Sequence, residues 1–400
     1  MRQRPILMLR AGPWMPYADV MRPARFIRVL ANLACTGVLV ATGCQGDGGS
    51  TKSSFATAPG AARGSLPASL VTSPIVSTRE WRWNSVEGIE IDTRSWTIKS
   101  SLRSANFTGS LPAFYEAALR NYRSGLVALP APPRRLEACV FGTREEWSRY
   151  TEHRLGSEAG PYLKMGRGGF TSGGEAVLYD IGPRDTLAIA AHEGWHQYSQ
   201  TTFRYSLPVW MEEGVACYME GFRQPAGAAE PTFLPWRNPE RYAELRTAAR
   251  KSRLATLREV LEGSPQSFLE TSRDAQLAYY AQVWALVHYM RDGEGGRYRA
   301  GLEAMLADAV SGGIPARIKA SDSIPDERAR RLALSSKSGI WLVLVYLDED
   351  YERFERGYDR FIGSLIESNA WDHIMRGESP IEVEPVPVDA SAAGAAPAAK

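Results

Sequence analysis

The sequence contains few residues of the kinds that make covalent or metal cross-links. Of its 400 residues, four are cysteine and five are histidine. Cys35 and Cys44 lie near the N-terminus, which leaves Cys139 and Cys217 in the rest of the chain. Neither belongs to a C-x-x-C pair of the type found in structural zinc sites. The two thiols are therefore interpreted as separate and buried, with a single disulfide as the alternative.

The sequence also lacks an excess of charge and a long apolar run. Lys and Arg total 47 against 45 Asp and Glu, and no basic stripe is interleaved with aromatic residues, so the pattern of a nucleic-acid-binding protein is missing. The apolar runs at 29–41 and 340–347 are shorter than the ~20 residues that a membrane-spanning helix needs. With 44% hydrophobic residues, the chain can form one large domain or two lobes around a shared cleft.

The N-terminus has the layout of an export signal. Three arginines precede the apolar run 29–41, and small residues then lead to Cys44, which predicts a signal peptide over 1–43, with Met21 as an alternative start. The end of this segment resembles the lipobox of bacterial lipoproteins. That resemblance implies that Cys44 is lipidated, that a lipid anchor holds the protein at a membrane in the cell envelope, and, from Gln45, that the membrane is the outer one. The alternatives are secretion or a single anchor helix.

The remaining chain divides by composition into a tether, a folded body and a tail. Residues 44–79 are rich in Gly, Ser, Ala, Thr and Pro and are predicted to be a disordered tether, and residues 379–400 a disordered Pro/Ala tail. The body, 80–378, is expected to fold as α+β: a small mixed or antiparallel sheet lobe to about residue 200 that carries an active-site helix, followed by a mostly helical lobe.

Periodicity and turn residues predict the elements of the body. Strands are predicted at 95–101 and 136–141, and a hairpin joins Phe170 to 176–181 through Gly173 and Gly174. Helices are predicted at 112–124, from Thr143, at 186–200 with Asp185 as cap, between Pro208 and Gly221, and at 275–290, 298–309 and 351–368. The run 340–347 is predicted to be a buried strand or helix.

One five-residue segment carries a recognisable metal-binding pattern. His192-Glu193-Gly194-Trp195-His196 matches H-E-x-x-H, and on a helix the two histidines lie one turn apart on one face, where both imidazoles can reach one zinc ion. Glu193 is rotated by about 100° and can hydrogen-bond a water at the metal. The alternative is a histidine pair that only packs or faces solvent. The small apolar residues 188–191 favour a buried helix and therefore a metal site.

A catalytic zinc site needs a third protein ligand, and the segment Pro208-Val209-Trp210-Met211-Glu212-Glu213-Gly214-Val215-Ala216 supplies carboxylates. Together with H-E-x-x-H, this segment resembles the gluzincins, the MA-like zinc metallopeptidases that include thermolysin and aminopeptidase N, in which the third ligand is the Glu of P-x-W-x-x-E-G-x-A. The resemblance implies that Glu213 is the ligand, seventeen residues after His196, a spacing shorter than in the best-known members. Glu212 is the alternative.

The resemblance extends over about 96–290 and implies further roles. Gly168, Gly169 and Phe170 are expected to form an edge strand that pairs with a substrate backbone, unless they form an ordinary hairpin. Tyr280, with His288 as the second choice, is expected to donate to the oxyanion in the transition state, unless these residues only pack in a helical core.

One departure concerns the residue four positions after Glu213. Some family members have an acidic residue there that orients a zinc-bound histidine, and this chain has Cys217. Glu220 or a backbone carbonyl is expected to take that role.

The expected function is a zinc-dependent hydrolase, a peptidase acting on peptide or protein substrates with Glu193 as general base. Two alternatives are a catalytically inactive envelope lipoprotein of the same fold that binds a partner in its cleft, and a structural envelope protein in which H-E-x-x-H is a coincidence.

Overall fold

The structure, a computed structural model, describes residues 74–164, 168–225, 227–335, 338–367 and 370–381. The predicted signal peptide at 1–43, the lipidation site Cys44, the tether up to residue 73 and the tail from residue 382 lie outside the described residues.

The N-terminal part of the fold is built on one mixed sheet. Its strands are β1 (Ile75–Trp83), β2 (Val86–Thr93), β3 (Trp96–Ser100), β4 (Leu136–Phe141), β5 (Gly169–Ser172) and β6 (Glu175–Tyr179). In space they follow the order β1-β2-β3-β4-β6-β5. The pairs β3–β4 and β4–β6 are parallel, and the other pairs are antiparallel. Strand β5 therefore lies at one edge of the sheet.

Five helices accompany this sheet: α1 (Ala105–Ser124), α2 (Arg144–Leu155), α3 (Gly160–Leu163), α4 (Pro183–Thr202) and α5 (Val209–Met219). Alternate residues of β4 and β6 point to opposite faces, as the pleat requires. One face packs against α1 and α4 in the main core, which continues into the helical part. The other face packs in a smaller cluster with Trp147 of α2. Helix α4 thus lies between the sheet and the remainder of the chain.

The C-terminal part is mostly helical. After the short ribbon β7 (Phe222–Arg223) and β8 (Thr232–Phe233) come α6 (Pro239–Arg250), α7 (Leu257–Glu262), α8 (Pro265–Thr271), α9 (Arg273–Asp292), α10 (Arg299–Ser311), α11 (Ile314–Ala320), α12 (Glu327–Ala333), α13 (Ile340–Tyr346), α14 (Tyr351–Glu367) and α15 (Ala370–Arg376). Helix α9 is buried along most of its length. The predicted α+β class, with a small sheet lobe and a helical C-terminal part, is confirmed. Of the helices in the described ranges, none combines the length and the apolarity needed to cross a membrane.

Several element boundaries differ from the predicted ones. Strand β1 begins at Ile75, inside the segment predicted as a tether. Helix α1 begins at Ala105, seven residues before the predicted residue 112, because Ser104 caps it by accepting a hydrogen bond from the Phe107 amide. Helix α4 begins at Pro183 after Gly182, so Asp185 lies in its first turn and is not the cap.

Both cysteines of the described chain are free and buried, which excludes a disulfide between them.

Candidate metal centre

The helix that carries the H-E-x-x-H motif is packed tightly against α1. The Tyr122 hydroxyl donates a hydrogen bond to the Ala191 carbonyl at 2.7 Å. A Cβ atom on Gly194 would lie 2.4 Å from the same hydroxyl oxygen. Glycine is therefore required inside the motif because the tyrosine approaches the helix backbone closely. The motif helix therefore packs closely against Tyr122 of α1.

A second glycine brings α5 close to α9. A Cβ atom on Gly214 would lie 2.8 Å from the Val283 carbonyl oxygen and 2.9 Å from a Val287 methyl group. The glycine after Glu213 in the sequence thus allows α5 to lie directly on α9. In this position, Glu213 reaches the histidine pair of α4.

The predicted metal ligands converge. Glu213 Oε2 lies 3.5 Å from His192 Nε2 and 3.6 Å from His196 Nε2. All three atoms are buried, and none has a hydrogen-bond partner. Atoms bound to one tetrahedral zinc ion at about 2.0–2.2 Å would lie roughly 3.3–3.6 Å apart. The three residues can therefore hold a metal ion, which would satisfy three polar atoms that are otherwise buried without partners.

The electrostatics of the ligands reflect this proximity. Burial acts to raise the pKa of Glu213, but His196 and His192 outweigh it and hold that pKa at about 2. Burial acts to lower the pKa of His196, but Glu213 and Glu212 outweigh it and raise that pKa to about 10. In the metal-free protein, a proton is thus held among the three residues. A metal ion must displace it, because only the neutral imidazole can be a ligand.

The ring nitrogen of His192 that faces away from Glu213 is held by Glu220, the residue that ends α5. His192 Nδ1 lies 2.7 Å from Glu220 Oε1. Asn238 Nδ2 donates to Glu220 Oε2 at 2.7 Å, and Arg241 also donates to both oxygens of this carboxylate. Glu220 therefore makes the contact with His192 for which the sequence offered Glu220 or a backbone carbonyl, because residue 217 is a cysteine.

His196 has a corresponding carboxylate partner. His196 Nδ1 lies 2.9 Å from Glu212 Oε1, and the Ser199 hydroxyl donates to the same oxygen. Glu212, which the sequence analysis kept as an alternative metal ligand, instead contacts the far side of a predicted ligand. Carboxylates in such positions fix the tautomer and orientation of a metal-binding imidazole.

A second group of possible ligands shares His192 with the first: His192, Cys217 and Glu220. Arg241 Nη2 donates to Glu220 Oε1 at 2.8 Å, so a guanidinium cation already neutralises this carboxylate. A metal cation here would be repelled by Arg241. The group of His192, His196 and Glu213 contains no carboxylate that is paired with an arginine, and it is therefore the better metal site.

Glu193 lies beside the convergent ligands and is 1% exposed. Burial raises its pKa to about 7, against the lowering effect of His196, His192 and a hydrogen bond from Thr171. The Thr171 hydroxyl of β5 donates to Glu193 Oε2 at 2.8 Å. The edge strand and the motif helix are therefore linked directly at this carboxylate.

Strand β5 presents different residues to its two sides. A Cβ atom on Gly169 would meet Ile189 of α4 at 3.2 Å, so Gly169 and Thr171 face the motif helix. The Phe170 ring points to the opposite side, 4.8 Å from the Tyr162 ring. Only the backbone of Phe170 is thus available for the predicted role in substrate binding. Residues 168–171 are all buried, so the edge is covered in this conformation.

The two candidates for the oxyanion donor lie in different surroundings. The Tyr280 ring centroid is 6.2 Å from that of His192, and the Arg241 guanidinium carbon lies 5.0 Å from the Tyr280 ring. The His288 ring stacks on Trp236 with 3.6 Å between centroids. Tyr280 is thus the candidate that packs against a predicted metal ligand. Its catalytic role stays a prediction.

A surface groove of about 560 Å³ runs along α6. It contains none of the predicted metal ligands, and the residues that line it include Glu240, Glu244, Asp274, Leu277 and Trp371. The groove therefore does not mark the metal centre, although Glu244 connects it to Arg241 by a hydrogen bond of 3.1 Å.

The sequence analysis did not identify Thr171, Asn238 or Arg241. Thr171 is one residue beyond the predicted edge-strand segment, and the alternation of β5 would have placed it on the face of Gly169. Asn238 and Arg241 begin α6, and an N-cap signal was present there, because the Asn238 side chain accepts a hydrogen bond from the Arg241 amide. Nothing local indicates that either residue reaches Glu220.

Residues 186–302 match a protein family described as "Protein of unknown function (DUF1570)". The matched segment contains His192, His196, Glu213, Arg241 and Tyr280 and begins after the last strand of the six-stranded sheet. A comparison of the chain with curated proteins finds no match.

Proposed function

We propose that this protein is a zinc-dependent hydrolase of the gluzincin type that cleaves amide bonds in peptides or proteins. The observation that carries the proposal is the convergence of His192 Nε2, His196 Nε2 and Glu213 Oε2, three buried atoms without hydrogen-bond partners, next to the buried carboxylate of Glu193.

The donor set favours zinc over other common metals. Two imidazoles and one carboxylate form a mixed nitrogen and oxygen set, whereas Mg²⁺ and Ca²⁺ are bound mainly by oxygen atoms. Three protein ligands also leave one tetrahedral position open, as in catalytic zinc sites. A zinc ion in this position would supply Lewis acidity, which polarises a carbonyl group and makes water more acidic.

The chain's own residues supply the proton transfers. Glu193 has a pKa of about 7, close to the value at which a general base works best at neutral pH. It would accept a proton from the attacking water and return it to the leaving amine. The hydrogen bond from Thr171 holds Oε2 of the Glu193 carboxylate in place. Tyr280, packed against His192, is the proposed donor to the oxyanion.

Strand β5 is the proposed site for the substrate backbone. Within the described chain it pairs with β6 on one side only, and an extended peptide could add to the other side. Because residues 168–171 are buried, this mode of binding requires the covering residues to move.

The proposed location is the cell envelope, with a lipid anchor at Cys44. This part of the proposal is supported by the sequence pattern of residues 22–44 alone.

One observation supports the alternative of an inactive binding protein with the same fold. None of His192, Glu193, His196 and Glu213 is more than 5% exposed, so a substrate cannot reach them in this conformation. The alternative predicts zinc binding, or none, without hydrolysis.

The test measures zinc content and cleavage of a broad peptide library for the wild type and for Glu193→Gln. We expect one zinc ion in both proteins and cleavage by the wild type alone, because Gln keeps the shape of the side chain but cannot accept the proton. Glu145→Gln, an exposed position in α2, is the matched control and should cleave like the wild type. Full turnover by Glu193→Gln would refute the assignment of the base. Zinc without cleavage in the wild type would favour the binding protein.

A further inference from the structure

Arg241 is a fully buried cation at the point where three helices meet. It is 2% exposed and is among the largest fully buried side chains of the described chain. It belongs to α6, and its guanidinium contacts Glu220 at the end of α5 and Tyr280 of α9. A charge at this depth needs a specific set of partners, because burial of an unpaired ion is strongly unfavourable.

The guanidinium holds Glu220 in a fork. Arg241 Nε donates to Glu220 Oε2 at 3.1 Å and Nη2 donates to Oε1 at 2.8 Å. Asn238 donates to Oε2, and His192 Nδ1 contacts Oε1. Each oxygen of the carboxylate thus has two partners, which leaves no freedom for the carboxylate to rotate. A lysine could not reproduce this planar, two-point contact.

The same guanidinium contacts two further groups. Its carbon atom lies 5.0 Å from the Tyr280 ring, a distance typical of a cation–π contact. Its remaining nitrogen, Nη1, donates to Glu244 Oε2 at 3.1 Å. The contact with Glu244 uses a nitrogen that does not bind Glu220, and it provides a control for the contact with Glu220.

We propose that Arg241 is a positioning residue of the metal centre, which fixes the plane of Glu220 and thereby the direction in which His192 presents Nε2 to a metal ion. A hydrogen bond from His192 Nδ1–H to Glu220 places the lone pair of the ring on Nε2, the atom that faces Glu213. The inference rests on the proposed zinc function for its effect on affinity, but its effect on His192 exists in the metal-free protein.

The contact with Tyr280 extends the same role to the proposed oxyanion donor. The Arg241 guanidinium contacts both the Glu220 carboxylate and the Tyr280 ring. A change at Arg241 would therefore alter the support of His192 and of Tyr280 together.

The test uses two variants of the full chain. Arg241→Lys keeps the charge and removes the fork. The double variant Glu220→Gln/Arg241→Met removes both charges and so does not leave Glu220 as a buried carboxylate without its cation. Zinc dissociation constants are measured by competition with a chelator, and ring ¹⁵N chemical shifts of His192 are measured in the metal-free proteins. Glu244→Gln is the control, because it keeps an acceptor for Nη1 and does not touch Glu220.

We expect zinc affinity to fall by about 10-fold in Arg241→Lys and by up to about 100-fold in the double variant, the range found for residues that orient metal ligands. The ¹⁵N shifts should show His192 Nδ1–H in a strong hydrogen bond in the wild type and in a weaker one in both variants. Glu244→Gln should match the wild type in both measurements.

Wild-type zinc affinity in both variants would overturn the proposal, and so would an unchanged His192 spectrum in both. Failure of the proposed function would look different. If the wild type binds no zinc, the zinc assignment is wrong, and the spectra of the metal-free proteins still decide whether Arg241 controls His192. If thermal unfolding shows loss of the fold in either variant, the remaining variant gives the result.

Discussion

Zinc binding should depend strongly on pH well above neutrality. The experiment varies the pH across the range in which a histidine of ordinary pKa would be neutral. Burial lowers the pKa of His196, but Glu213 and Glu212 outweigh it and raise that pKa to about 10. The metal-free protein therefore keeps a proton on this histidine at pH 7 to 8.5, and zinc must displace it.

The magnitude follows from counting protons. One displaced proton changes the apparent affinity about tenfold per pH unit, so affinity should rise about 30-fold between pH 7 and 8.5. A histidine with the ordinary pKa of about 6.5 would give a rise of less than about 1.5-fold over the same range. The pKa of His192 is also held well above its ordinary value, against burial, by Cys217, Glu213 and Glu220, which adds to the rise.

The free energy of unfolding of the metal-free protein should fall over the pH range in which zinc affinity rises. Because the folded-state pKa of His196 is raised, its stabilising effect is fully present below about pH 6.5 and is lost as the pH rises toward 10. Because the pKa of Glu213 is lowered to about 2, its effect is present above about pH 4.5 and is lost as the pH falls toward 2. The metal-free protein should thus be most stable in the interval between these limits.

The assay is zinc affinity by chelator competition at several pH values, together with calorimetry in buffers of different ionisation enthalpy to count released protons. Glu212→Gln is the informative comparison, because it removes a charge that raises the pKa of His196 and should move the plateau of affinity to lower pH. A wild-type affinity that is flat between pH 7 and 8.5, with no proton released, would refute the reasoning.

Three further predictions concern single side chains. Gly194→Ala should destabilise the fold by about 1–3 kcal/mol, measured by urea unfolding, because its Cβ atom would lie 2.4 Å from the Tyr122 hydroxyl oxygen. Thr171→Val should move the acid limb of the pH profile of kcat/KM to higher pH. The hydrogen bond from Thr171 lowers the pKa of Glu193, so its removal should raise that pKa; an unchanged profile would contradict this prediction. Tyr280→Phe should reduce kcat by about 100-fold at unchanged zinc content.

The parts of the site that follow from spacing could be predicted from the sequence. His192, Glu193 and His196 lie within one helical turn, so their arrangement depends on little more than the formation of α4. The role of Glu213 as third ligand was predicted from the family resemblance, because the sequence of neither helix specifies the distance between α4 and α5. Glu220 was expected only as one of two options, and the structure places it 2.7 Å from His192.

The parts that could not be predicted depend on contacts between distant elements. Arg241 reaches Glu220 because α5 and α6 both pack against α9, and no periodicity within α6 indicates that its first turn lies near Glu220. Strand β1 was not predicted for a different reason. Nearly all of β1 is exposed, so selection for a buried face has not imposed on it the alternation by which a half-buried strand is identified.

The ligands of the candidate metal centre come from two consecutive helices that a short connection joins. His192 and His196 belong to α4, and Glu213 belongs to α5, with residues 203–208 between these helices. Arg204 in this connection is exposed, so a trypsin-like protease can reach it. In the proposed zinc form, the ion would tie the two fragments together after such a cut. Loss of the metal would then weaken the association of the two fragments, so a nicked chain should unfold at a lower denaturant concentration without zinc than with it.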